Sequence, residues 1–209
     1  MRFLTSVFVL AATLAPAATP AQEYPAKAIR MVVPFAPGGT SDIIGRALGQ
    51  KLSEAWMQPV IMDNRVGVAG SIGAANAAKS PPDGYTLLVG NVGPVAVNNS
   101  IYKSTGYDPL KDFTPITLAV TAPQILVVHP SVPANTFREF MALVKAHKGK
   151  ITFGSSGPGS ISHLSGELYQ RMTKPDMLHV PFKGGAQAMP AVNFCTFPSL
   201  VCSNSPERM

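Results

Sequence analysis

The sequence predicts an α/β protein with mainly parallel sheets, arranged as two lobes about a cleft. Three observations carry this. Short β-rich runs alternate with longer segments of helical periodicity, as in sheets whose strands are joined by helices. Turns rich in Gly, Ser and Asn lie at residues 36–42, 90–94, 154–160 and 183–187, drawn from both halves of the chain. Two β-rich runs, 116–120 and 124–128, are separated by Thr121-Ala122-Pro123, the pattern of a chain leaving one sheet for another. Ligands of such sheets bind beyond the carboxyl ends of the strands, so these turns locate the cleft.

The first strand spans residues 29–33 and breaks at Pro34, Pro37, Gly38 and Gly39, with Thr40, Ser41 and Asp42 as N-cap candidates for the next helix. A strand, a glycine turn and a helix N-terminus together favour anions, because they leave backbone N–H groups free. The helix covers residues 41–56, with Ile44, Leu48, Leu52 and Trp56 repeating at i+4 as its expected buried stripe. A short strand covers 59–62, and the glycine turn 67–73 leads into an Ala-rich helix over 72–79. Pro81-Pro82-Asp83-Gly84 is a turn before a strand at 85–89; a short helix over 95–102 and an irregular stretch over 107–113 follow. In the second half, Thr136 and Glu139 form a capping box for a helix carrying Phe137, Phe140, Met141 and Val144 on one face. A strand at 151–153, a helix with Ile161, Leu164, Leu168 and Met172 in register, and a strand at 179–182 complete the alternation.

Composition narrows the class. The chain has 209 residues, 46% of them apolar, enough for one large or two small cores. Residues 1–21 read as a secretory signal: Arg2 supplies the positive start, an apolar stretch follows that is too short to span a bilayer, and cleavage after Ala17 or Ala21 fits. Its removal lowers the formal charge from +6 by one. The basic residues are scattered and form no nucleic-acid groove.

Other chemistries are weakly supported. Gly67-x-x-Gly70-x-x-Gly73 lacks dinucleotide-binding spacing, and no phosphate-binding loop motif occurs. His129, His147, His163 and His179 are not spaced as metal pairs, and Cys195 and Cys202 match no common metal signature. Neither metal nor cofactor is expected. His163 among Ser155, Ser156, Ser160 and Ser162 leaves open an α/β-hydrolase-like Ser/His enzyme, although the G-x-S-x-G elbow is not met. Asp42 caps the helix on the simpler reading; the alternative has it facing a ligand hydroxyl or amine.

The motifs resemble a known family. Tyr24-Pro25, the run from Ile29 through Gly39 to Asp42, Asp63-Asn64-Arg65, Pro82-Asp83-Gly84-Tyr85, Tyr107-Asp108-Pro109 with Lys111-Asp112-Phe113, Gly154-Ser155-Ser156-Gly157 with Gly159-Ser160 and His163-Leu164, and His179-Val180-Pro181-Phe182-Lys183-Gly184 follow in the order of the Bug proteins. These are the extracytoplasmic solute receptors of tripartite tricarboxylate transporters. The resemblance implies a two-lobed, type II periplasmic-binding-protein-like fold. It implies a monomeric, non-enzymatic receptor in the periplasm that closes on a small carboxylate and serves membrane permease subunits. Carried over by motif, the substrate-binding residues would be Phe35, Ala36, Gly38, Gly39, Thr40, Asp42 and Asn91 from the first lobe. The second lobe would supply Ser155, Ser156, Gly159, Ser160, His163, Lys183 and Gly184. On this reading residues 22–121 are the first lobe and 122–192 part of the second. Residues 193–209 form a tail outside the family pattern, as in a truncated or frameshifted reading frame. The second lobe is then expected to be incomplete and binding weak or lost.

Overall fold

The computed structural model describes residues 23–174, 176–194 and 199–203. The expected signal, residues 1–21, and Cys195 lie outside these. The first sheet is wholly parallel, in the order β2-β1-β3, formed by β1 (Ile29–Val33), β2 (Val60–Asn64) and β3 (Thr86–Leu88). β1 is central, and Ile29, Met31, Val32 and Val33 are buried, as expected of a strand covered on both faces. Its one charge, Arg30, is neutralised by Asp63 of β2 at 2.5 Å.

Helix α1 (Thr40–Trp56) joins β1 to β2. A turn at Val68–Gly70 leads to α2 (Ser71–Ala78), and a π-helical turn at Gly93–Val97 runs into α3 (Asn98–Ile101). The second sheet has the order β4-β7-β5-β6: β4 (Ile125–Val128), β5 (Ile151–Ser155), β6 (Met177–Pro181) and β7 (Ser199–Ser203). β6 and β7 flank β5 in parallel, while β4 runs antiparallel along β7. Helices α4 (Phe137–Ala146), α5 (Ile161–Thr173) and α6 (Gly185–Phe194) lie between these strands in the chain. Phe140, Val144, Ile151, Phe153 and Met177 form the buried core of this lobe.

The expected capping box is present: Glu139 N–H donates to Thr136 Oγ1 at 3.2 Å, and Thr136 N–H to Glu139 Oε2 at 3.2 Å. The expected helix faces need correcting. In α1 the buried residues are Asp42, Gly45 and Gly49, while Leu48 is exposed. In α5 they are Ser162 and Gly166, while Leu168 and Met172 are exposed. Both helices dock on their sheets through glycine, which brings backbone against strand side chains. A Cβ on Gly49 would lie 2.6 Å from Met62 Cε, and one on Gly166 2.3 Å from Phe153 Cε2. A hydrophobicity stripe does not register a contact made by a residue without a side chain.

Two further expectations change. Residues 116–120 form no strand, and Ile116 and Leu118 are about four-fifths exposed. No strand among the described residues lies beside them, and β-propensity takes effect only against a partner. The tail beyond Val192 was assigned no place in the fold, yet residues 199–203 form β7, between β4 and β5.

Gly73 of α2 gives a test of close packing. A Cβ there would lie 2.8 Å from Pro34 Cα and 2.8 Å from the Arg65 carbonyl oxygen. Helix propensity alone makes Gly73→Ala stabilising by about 1 kcal/mol. The overpacking cost of about 1–3 kcal/mol is the larger effect, because two backbone segments must move. Urea unfolding is expected to show net destabilisation.

Candidate functional site

The lobes meet at two seams. At the first, the turn after β1 touches the start of α6: a Cβ on Gly184 would lie 3.4 Å from Ala36 Cβ, and one on Gly38 3.9 Å from Ala186 Cβ. At the second, Tyr102 Oη donates to the Pro158 carbonyl at 2.7 Å, and a Cβ on Gly93 would lie 3.2 Å from the Gly159 carbonyl oxygen. A cleft of about 390 Å³ opens between the lobes. Pro34, Phe35 and residues 66–70 form one wall; residues 156–158 and 181–183 form the other.

The first wall is organised by Asp42, which is 2% exposed. Its Oδ2 accepts from Gly38 N–H at 2.9 Å and Arg46 Nε at 2.9 Å, and its Oδ1 accepts from Asn64 Nδ2 at 2.9 Å. Asn64 Nδ2 also donates to the Phe35 carbonyl at 3.0 Å. Burial pushes the Asp42 carboxyl up, but the hydrogen bonds from Arg46, Gly38 and Asn64 outweigh it and hold the group below its ordinary range. The N-cap is Gly39, not Thr40, Ser41 or Asp42. Asn91 ties the next loop in, donating to Ser41 Oγ at 3.5 Å and accepting from Gly93 N–H at 3.1 Å.

The 66–70 wall was not among the expected site residues. Four successive residues, Gly67, Val68, Ala69 and Gly70, have positive φ (130°, 47°, 47° and 92°). For β-branched Val68 that conformation is costly and must be imposed by its surroundings. Fully buried Asn98 imposes it: its Nδ2 donates to the Ala69 carbonyl at 3.1 Å and to Ser71 Oγ at 2.8 Å, with a longer contact to the Val68 carbonyl. The glycine spacing was the available signal, but as a dinucleotide motif it pointed elsewhere.

In the second lobe the turn amides are occupied internally. Ser156 N–H donates to Ser162 Oγ (3.0 Å), Gly157 N–H to Ser155 Oγ (3.1 Å), Gly159 N–H to His163 Nδ1 (3.2 Å) and Ser160 N–H to the Gly157 carbonyl (3.1 Å). Ser160 caps α5 by accepting His163 N–H. Of the fourteen residues expected to touch substrate, Phe35, Ser156 and Lys183 line the cleft. Ala36, Gly38, Gly159 and Gly184 lie at the seams. Asp42, Ser155, Ser160 and His163 form hydrogen bonds within the turns; Gly39 and Thr40 begin α1, and Asn91 bonds Ser41. The turn pattern suggested free N–H groups; in the 155–160 turn those of Ser156, Gly157 and Gly159 go to side chains and that of Ser160 to the Gly157 carbonyl.

A family model described as the tripartite tricarboxylate transporter family receptor matches residues 44–203. The chain belongs to this family. Among curated relatives of the receptor, protein BugT of Bordetella pertussis is 37% identical over 184 residues, covering 88% of this chain and 56% of BugT. A Pseudomonas protein from the tcbD-tcbE intergenic region is 38% identical, covering 90% of this chain and 56% of its own length. The chain thus spans little more than half the length of the curated relatives it matches. An R. palustris protein solved with adipate is 36% identical with a TM-score of 0.80, over 81% of this chain and 57% of that one. MatC from Rhodopseudomonas palustris, with bound malate, is 32% identical with a TM-score of 0.75 over the same shares.

The Ser/His alternative finds no serine among Ser155, Ser156, Ser160 and Ser162 that is both open to the cleft and bonded to a histidine. Ser155 bonds His179 Nε2 at 2.6 Å but is fully buried, and Ser160 is 2% exposed. Cleft-lining Ser156 bonds Ser162, not a histidine. A second depression, of about 420 Å³, is lined by Arg65, Ser71, Ile72, Asn76, Lys79 and Thr105 among others. It is similar in volume to the cleft but more open, and all its described lining residues belong to the first lobe. It lacks the two-sided enclosure that removes a small ligand from water.

Asp42→Ala is expected to cost about 2–3 kcal/mol at pH 7, since it strands the Gly38 and Asn64 donors. The carboxyl is depressed in the fold, so its contribution is complete above the unfolded value of about 4 and lost as the pH falls below it. Denaturation at pH 7 and pH 3 checks this: the gap between wild type and variant shrinks in acid.

Proposed function

We propose that this chain supplies the cleft of a periplasmic solute receptor. It captures a small organic di- or tricarboxylate for a tripartite tricarboxylate-type transporter and acts as a monomer that delivers its ligand to membrane permease subunits. The observation that supports this reading best is the lining of the interlobe cleft. Pro34, Phe35, Val68, Pro158 and Phe182 offer apolar walls suited to a short carbon chain, Ser156 offers a hydroxyl, and Lys183 is the one charged residue among the described lining. No carboxylate is among the described residues that line it, so the charged lining given by Lys183 favours an anion. The similar R. palustris proteins solved with adipate and with malate favour the same class of ligand. Every described lining residue lies between positions 34 and 183, before the tail, which favours binding by this chain over the loss expected from the sequence. Residues 1–21 read as an export signal, and no helix among the described residues is long and apolar enough to cross a membrane.

Thermal unfolding in the presence of adipate, malate and citrate tests the reading. At a hundredfold excess over Kd a true ligand adds about 2.7 kcal/mol to stability, a shift of several degrees in Tm. Lys183→Gln is expected to weaken that ligand about three- to tenfold and to flatten its salt dependence. Indifference of Tm to all three acids would remove the proposal's basis.

A further inference from the structure

The second-lobe turn is held by two histidines that the carboxylate-binding role does not use directly. Their geometry requires a particular protonation state. Ser155 Oγ accepts Gly157 N–H at 3.1 Å and lies 2.6 Å from His179 Nε2. Ser155 is fully buried, and His179 Nε2 is the acceptor that its hydroxyl proton reaches among the described residues, so the pair fits an Nε2 that accepts. That arrangement has His179 neutral, with its own proton on Nδ1. One turn further on, Gly159 N–H donates to His163 Nδ1 at 3.2 Å, which requires an unprotonated Nδ1 there too. The His163 proton then sits on Nε2, 3.8 Å from Glu167 Oε1.

The two rings stack at 4.2 Å and 29°, and Phe153 covers the His179 ring at 4.9 Å. A proton on His163 Nδ1 sets it against the Gly159 N–H, and one on His179 Nε2 leaves the buried Ser155 hydroxyl proton without that acceptor. It also sets a positive charge against the neighbouring imidazole. The charged and titratable groups bearing on His179 are His163 and Glu167, both from α5; β5 presents Phe153 and Ser155, neither of them charged. Those bearing on His163 are Glu167 and His179. Burial depresses His179 below its ordinary value and His163 adds to this, with Glu167 in partial opposition.

We propose that His163 and His179 are positioning residues that keep the 155–160 turn in its binding shape only while both rings are neutral, so that the receptor's grip on a carboxylate weakens in mild acid. The proposal rests on the receptor reading above, through Ser156 and Gly157, which belong to this turn and line the cleft. The sign follows from linkage: the turn as folded excludes protons that a loosened turn accepts, so lowering the pH favours the loosened turn and opposes binding.

The test uses the whole exported chain with adipate and malate as probes, titrated calorimetrically at pH 7.5 and 5.5. Wild-type affinity is expected to fall about three- to tenfold between these values. In His179→Gln and His163→Asn, which keep an acceptor but do not titrate, the ratio between the two pH values is expected to stay within about twofold, whatever the affinity at pH 7.5. A pH-independent wild type, or variants that fall in parallel with it, would overturn the proposal. Amide hydrogen exchange of ligand-free wild type decides the question independently of any ligand and of whether the variants fold. Protection at Gly157 and Gly159, corrected for intrinsic exchange, should drop several-fold at pH 5.5. Unchanged protection would overturn the histidine mechanism. Failure of both acids to bind at pH 7.5, with exchange behaving as expected, would count against the receptor reading alone.

Discussion

A single buried carboxylate fixes the first half of the cleft. Asp42 gathers the Gly38 amide from the turn, the Asn64 amide from the end of β2 and the Arg46 guanidinium from α1, and Asn64 extends the network to the Phe35 carbonyl. One side chain thereby couples strand, turn and helix. A buried carboxylate is tolerated only when fully hydrogen-bonded, and here three donors reach its two oxygens. The seam with α6 depends on this, because Ala36 and Gly38 meet Gly184 and Ala186 only if the turn keeps its shape.

The same logic recurs in the other turns. Asn98 fixes 67–70, and the serines and histidines around 155–163 fix the turn opposite. Turns whose own amides are satisfied are preorganised: the cost of ordering them falls on folding, and little is left to be paid when a ligand arrives. What they present to the cleft is shape, a hydroxyl at Ser156 and the nearby ammonium of Lys183. The glycines at the seams contribute closeness, since at Gly159 a Cβ would stand 2.7 Å from Asn98 Oδ1.

The alternation of strands and helices, the placing of turns at strand ends and the capping box at Thr136 were legible in the sequence, because each depends on residues close together in the chain. Helix orientation was not. The apolar stripes of α1 and α5 were visible, but Gly49 and Gly166 decide which face docks, through contacts with Met62 and Phe153 that only the folded sheet creates. The site was legible as a set of turns and illegible in its division of labour. Ser155 and His179 are 24 residues apart and meet because β5 pairs with β6 in the register that sets Phe153 beside His179. Asn98 reaches the 67–70 turn across 29 residues. β7 was not legible because residues 193–209 read as lying outside the family pattern, whereas the family model matches as far as residue 203.

The central claim is that a small carboxylate enters between the lobes, against turns already held in shape. Backbone amide chemical shifts recorded by NMR during titration with adipate test it most directly. The account predicts that perturbations cluster on residues 66–70, 156–158 and 181–183, on both sides of the cleft at once. Perturbations confined to the groove beside Arg65 and Lys79, or to one lobe, would contradict it.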